Sequence, residues 1–172
     1  MWFKHTLVGM IGLWLGACGF QPLYGTGSGS RVIADFSRVQ VAPMRDRIGQ
    51  QLHNQLERLL HPRGAAPQYR YRLQAKLNES TSSLAVKKSA FATRGNLTVT
   101  ANYSLLEVST RRSLVNASNA ITVSYNIFNS EFETLMAEKD ARKRAVRELA
   151  QEIRIRLGVY LRDPPKIPPG AS

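Results

Sequence analysis

Apolar and polar residues alternate along three stretches of the chain. Tyr69, Tyr71, Leu73, Ala75 and Leu77 are separated by Arg70, Arg72, Gln74 and Lys76. Leu97, Val99, Ala101, Tyr103 and Leu105 are separated by Thr98, Thr100, Asn102 and Ser104. After a turn around Thr110-Arg111-Arg112-Ser113, the same parity continues through Val115, Ala117, Ile121, Val123, Tyr125 and Ile127. Successive side chains of a strand point to opposite faces, so a period of two predicts strands with one covered and one wet face. Asn119 is polar on the apolar parity and is expected to mark a bulge or a strand end. The short links favour antiparallel hairpins.

Two other stretches repeat at the helical period. Ile48, Leu52, Leu56, Leu59 and Leu60 form one apolar stripe, which predicts a helix over 44–60. Asp46 is placed to cap its start, and Pro62 with Gly64 to end it. Just before it, Val39-Gln40-Val41-Ala42 reads as a short strand stopped by Pro43. From 131 to 161, Ala141, Ala145, Leu149, Ile153 and Leu157 make a second stripe, widened by Val146, Ala150 and Tyr160. Its outer face carries Lys139, Lys143, Arg147 and Arg154, and Asp163-Pro164-Pro165 stops it. The order β-α-β-β-β-α predicts an α/β (α+β) two-layer sandwich. Two helices would cover one face of a mixed, mostly antiparallel four-stranded sheet, leaving the other face polar.

The first residues do not belong to this pattern. Leu7 to Leu15 is an uncharged apolar run, too short to span a bilayer and of the length of a signal-peptide core. Leu15-Gly16-Ala17-Cys18 has the form of a bacterial lipobox, and Cys18 is the one cysteine of the chain. The expected division is a signal peptide over 1–17, a lipidated N-terminus and Gly/Ser-rich tether over 18–30, a folded domain over 31–163 and a Pro-rich tail over 164–172. Three acyl chains on Cys18 would hold the protein firmly on a membrane. Gly19 in place of an aspartate favours the outer membrane.

Composition narrows the chemistry. A single cysteine excludes a disulfide framework and a Cys-rich zinc site. His53 and His61 have no nearby cysteine or carboxylate cluster, and no nucleophile-elbow, zinc-protease or dinucleotide-binding motif is present. Neither an enzyme nor a cofactor is expected. Net charge is +12, from 24 Lys and Arg against 12 Asp and Glu, which points to an anionic partner. Export and lipidation would keep the chain from nucleic acid. Lys87, Lys88 and Arg94 flank Ala90-Phe91-Ala92 in the link between the first two long strands. Cations beside apolar side chains suit a phosphate-bearing amphiphile; the alternative is that these lysines and arginines only keep a lipoprotein soluble near an anionic membrane.

Cys18-Gly19-Phe20-Gln21-Pro22-Leu23-Tyr24-Gly25 resembles the start of LptE, the lipopolysaccharide-assembly lipoprotein family of Gram-negative outer membranes. The resemblance continues in Tyr125-Asn126, Ser130-Glu131-Phe132, Ala137-Glu138-Lys139-Asp140-Ala141 and the helix ending Ile153-Arg154-Ile155-Arg156-Leu157. It implies a two-layer domain lodged in the lumen of the LptD β-barrel, acting as plug and assembly partner while lipopolysaccharide enters the outer leaflet. It also implies lipopolysaccharide binding. Only Cys18 carries over individually, as the acylation site. The competing expectation is a lipid-tethered periplasmic adaptor of a transporter or of the cell wall, distinguished by what co-purifies.

Overall fold

The computed structural model describes residues 28–83 and 94–164. Its elements are α1 (Ser28–Ser37), β1 (Val39–Val41), α2 (Arg47–Leu60), β2 (Tyr71–Ser83), β3 (Arg94–Glu107), β4 (Ser113–Asn126) and α3 (Glu131–Arg162). The sheet order is β1-β2-β3-β4, with β1 parallel to β2 and the two long hairpin pairs antiparallel. The two-layer α+β architecture is the one the patterning predicts. Residues 1–27, 84–93 and 165–172 lie outside the described residues. They include Cys18, Lys87, Lys88, the signal-like run and the Pro-rich tail.

Register decides which face is covered. Leu73 stands opposite Leu105, and Leu105 opposite Val115; Leu77 stands opposite Ala101, and Ala101 opposite Asn119. The odd-numbered apolar residues therefore stack on one face, where Leu73, Leu97, Val99 and Leu105 are fully buried. Leu52, Leu56 and Leu60 of α2 and Ala145, Leu149, Ile153 and Leu157 of α3 meet them there. Burying one Leu or Ile side chain contributes about 1.5–3 kcal/mol, so this face holds most of the driving force for folding.

The pattern placed no helix ahead of β1, yet α1 lies there. Val32 and Phe36 are one helical turn apart and almost completely buried, and the Arg154 guanidinium of α3 lies over the Phe36 ring at 5.8 Å. The second helix starts at Arg47, later than the apolar spacing suggests. Asp46 takes an extended conformation (φ −84°, ψ 162°), and its carboxylate accepts a 2.6 Å hydrogen bond from the Gly49 N–H. At the other end of α2 the His61 ring lies 2.7 Å from Glu57 Oε2 through Nδ1 and 2.8 Å from the Val39 carbonyl through Nε2, tying the helix to β1. Gly64 follows at φ +93°, a conformation that suits glycine.

Asn119 is neither a bulge nor a strand end. β4 runs straight through it, opposite Ala101, and its Oδ1 accepts a 2.8 Å hydrogen bond from the Tyr103 hydroxyl. A polar residue is tolerated on the covered parity because a partner satisfies it. The irregularity lies nearer the hairpin. Leu105 faces Val115 but Leu106 faces Ser113, so Leu114 opposes no residue and packs against the core instead.

Candidate functional site on the open face of the sheet

The even-numbered residues of β2, β3 and β4 form the uncovered face. Gln74, Ser104 and Asn116 lie side by side, as do Asn78, Thr100 and Ala120, and Ser80, Thr98 and Thr122. Short polar side chains bridge the strands. Thr98 and Thr122 hydroxyls meet at 2.8 Å, and the Ser124 hydroxyl donates to Asn96 Oδ1 at 2.8 Å. The two carboxylates of these strands, Glu79 and Glu107, both fall on the opposite parity. What faces outward is thus a hydrogen-bonding surface free of carboxylates, with Lys76 opposite Asn102 in its middle and arginines at its ends.

At one end stand Arg70, Arg72, Arg111 and Arg112. Arg72 donates to the neutral Gln40 amide at 3.0 Å, while Arg70 is only loosely paired with Glu107 at 3.6 Å. Arg111 adopts φ 58°, a left-handed conformation uncommon outside glycine, which lets the turn close with Glu107 N–H donating to the Arg112 carbonyl. At the far end, about 43 Å away by strand rise, Arg94 opens β3 opposite Asn126 and is exposed.

The Arg94 end also carries apolar surface. Phe128, Phe132, Leu135 and Met136 are all exposed, with Phe132 at 69%. Leu135 and Met136 line a cavity of about 300 Å³ with Ile48, Arg47, Lys139 and Arg142. Arg142 Nε donates to Glu79 at 2.6 Å and its Nη2 to Glu138 at 2.7 Å. The hydrogen bond to Glu79, then the neighbouring carboxylates, hold its pKa above the ordinary arginine value. This node pins the start of α3 to the end of β2, so the apolar and cationic groups are presented on a fixed frame.

Of the sequence-predicted contacts, Arg94 is placed at this end, whereas Lys87, Lys88 and Cys18 lie outside the described residues. Phe128, Phe132, Leu135 and Met136 were missed. Phe132, Leu135 and Met136 follow helical spacing, but the core stripe of α3 begins only at Ala141, and that mismatch was the available signal. His61 is engaged through both ring nitrogens, and among the described residues no three His, Cys, Asp or Glu side chains gather into a metal-binding group.

Burial raises the Tyr103 hydroxyl pKa above its usual value, against an opposing hydrogen bond from Arg156. The Arg156, Tyr103 and Asn119 groups form one network under β4.

Comparison with known proteins agrees with this layout. An uncharacterised Rickettsia prowazekii (strain Madrid E) protein, RP188, is 25% identical over 126 residues, covering 73% of this chain and 78% of that one. A lipoprotein from Caulobacter crescentus CB15 superposes with a TM-score of 0.67 at 22% identity, covering 78% of this chain and 98% of the other. A minor lipoprotein from Acinetobacter baumannii gives 0.54 at 17% identity, covering 70% and 88%. These structures establish a shared fold. The model of the lipopolysaccharide-assembly family LptE matches residues 36–157, from the end of α1 through most of α3. The chain belongs to the LptE family of lipopolysaccharide-assembly lipoproteins.

Proposed function

We propose that this protein is held on the outer membrane by acyl chains on Cys18, seats its folded domain in the lumen of the LptD β-barrel, and there helps lipopolysaccharide reach the outer leaflet. The observation that carries this reading is the open sheet face. Fourteen-residue strands present Ser, Thr and Asn without a carboxylate, the kind of surface that suits the polar, hydrated interior of a large barrel. Family membership supplies the process, lipopolysaccharide assembly.

The Arg94 end is the proposed contact for the glycolipid, together with Lys87 and Lys88. Guanidinium and ammonium groups bind phosphates through charge-assisted hydrogen bonds. Phe128, Phe132, Leu135 and Met136 offer exposed apolar surface to acyl chains at the Arg94 end of the domain. The role needs binding and positioning, with no bond made or broken.

The test is purification of the full-length protein from native outer membranes in mild detergent and moderate salt. Recovery in a stoichiometric complex with the LptD barrel is the expected result. Recovery as a free monomer, or with an inner-membrane transporter or peptidoglycan in place of the barrel, overturns the proposal.

A further inference from the structure

The two edges of the sheet are finished differently. On the β2 side, β1 covers the first residues and the rest of the strand carries Lys76 and Glu79, the latter held by Arg142. β4 has no strand beside it among the described residues, and Ser113–Asn126 contains neither a charged residue nor a proline. Edge strands are usually blunted by charge, proline or shortness. This one has none of those protections over fourteen residues.

Register shows which backbone groups are free. The Val108 N–H donates to the Arg70 carbonyl, and the Glu107 N–H to the Arg112 carbonyl. Odd residues of β3 therefore face β4 and even ones face β2. Odd pairs with odd across β3 and β4, so the even residues of β4 turn their N–H and C=O groups outward. Arg144 agrees, because its Nη2 reaches the Ser124 carbonyl from that side at 3.4 Å. Asn116, Ser118, Ala120 and Thr122 have no such visitor among the described residues.

The surroundings of this edge are specific. On the helix side, a groove of about 580 Å³ runs between β4 and the last turns of α3, lined by Val115, Ala117, Ile155 and Val159 with Glu152 and Arg156. Ile155 and Val159 are 50% and 61% exposed, the opposite of what a finished core would show. On the other side, the Ser/Thr/Asn surface continues to the rim.

We infer that β4 takes up an extended segment of the barrel partner as an added fifth strand of the sheet. The inference rests on the proposed function for the source of that segment. The site specifies its guest twice. Alternate side chains must be apolar to cover Ile155 and Val159, and those between them must be short and polar to continue the open face. β4 itself offers the guest no charged side chain to pair with. Strand addition at an open edge is an established mode of recognition, and the guest is a stretch outside the closed barrel wall, whose strands already have both edges paired. A second copy of this chain is a poorer guest, since each copy carries a net charge of +12 and the two would repel.

The experiment compares full-length variants co-expressed with LptD, measuring barrel recovered per lipoprotein and the thermal melt of each variant. Ala120→Pro removes an outward N–H and spares the β3 ladder, and Ser118→Lys adds a charge beside the same edge. Both are expected to melt like wild type and to recover at least tenfold less barrel. Ile121→Pro removes a ladder N–H and is expected to unfold, confirming the assigned parity. Wild-type recovery with folded Ala120→Pro and Ser118→Lys overturns the inference and leaves the proposed function standing. A wild-type homodimer that Ala120→Pro converts to monomer also overturns it, in favour of a second copy. Failure of wild type itself to recover the barrel overturns both.

Discussion

The two faces of one strand, β3, are built on different rules. Its odd residues, Leu97, Val99, Ala101, Tyr103 and Leu105, are buried under the helices and fit only with their particular neighbours. Its even residues, Asn96, Thr98, Thr100, Asn102 and Ser104, lie on the open face, where Asn96 and Thr98 meet Ser124 and Thr122 of β4 through bonds that solvent could replace. Backbone and strand pairing are common to both, so any difference in sensitivity belongs to the side chains. The covered face is where the fold is determined, and the open face is where a partner can be chosen without disturbing the fold.

The comparison can be broken by substitution. Leu105→Ala is expected to cost about 2–5 kcal/mol, the range for truncating a fully buried leucine. Urea unfolding monitored by circular dichroism measures it, and a loss below 1 kcal/mol would mean that the helix layer is not the main support. Tyr103→Phe comes next, at about 1 kcal/mol, because it leaves Asn119 Oδ1 without its donor on the covered side. The same titration applied to Asn119→Ala in both backgrounds should show the two effects to be non-additive. Thr122→Ala on the open face breaks its hydroxyl contact with Thr98 and is expected to fall within about 0.5 kcal/mol of wild type. A large loss there would give the polar ladders a structural role. Replacing Lys87, Lys88 and Arg94 together by Glu should leave stability nearest to wild type while weakening lipopolysaccharide binding at low salt and sparing recovery of the barrel. Binding that survives the triple change moves the glycolipid contact elsewhere, with the Arg70, Arg72, Arg111 and Arg112 end the next place to substitute.

Where the sequence was legible, the reason is geometric. Period-two and period-3.6 patterns report solvent exposure directly, and β2, β3, β4, α2 and α3 each have one wet side to report. The helix α1 has too little of either signal, since it opens on Ser28-Gly29-Ser30 and shows its core with Val32 and Phe36. Asn119 was misread because the pattern cannot see the Tyr103 hydroxyl that satisfies it from another strand. The candidate site was legible only as charge. Arg94 could be named from its neighbours in sequence, but its company of Phe128, Phe132, Leu135 and Met136 depends on the sheet bringing the end of β4 beside the start of β3. The Glu79–Arg142–Glu138 node joins residues far apart in the chain and has no local signature.

The unpaired Leu114 gives the hairpin a tolerance of its own. In an alternating strand, losing or gaining one residue exchanges every inward side chain for an outward one, which would drop Thr122 and Ser124 into the core. The looped-out leucine separates the turn at Ser109–Arg112 from the strictly phased part of β4 that begins at Val115. Changes in turn length can be absorbed at that point, so a residue gained or lost at this tip would leave both faces of the sheet with their identities.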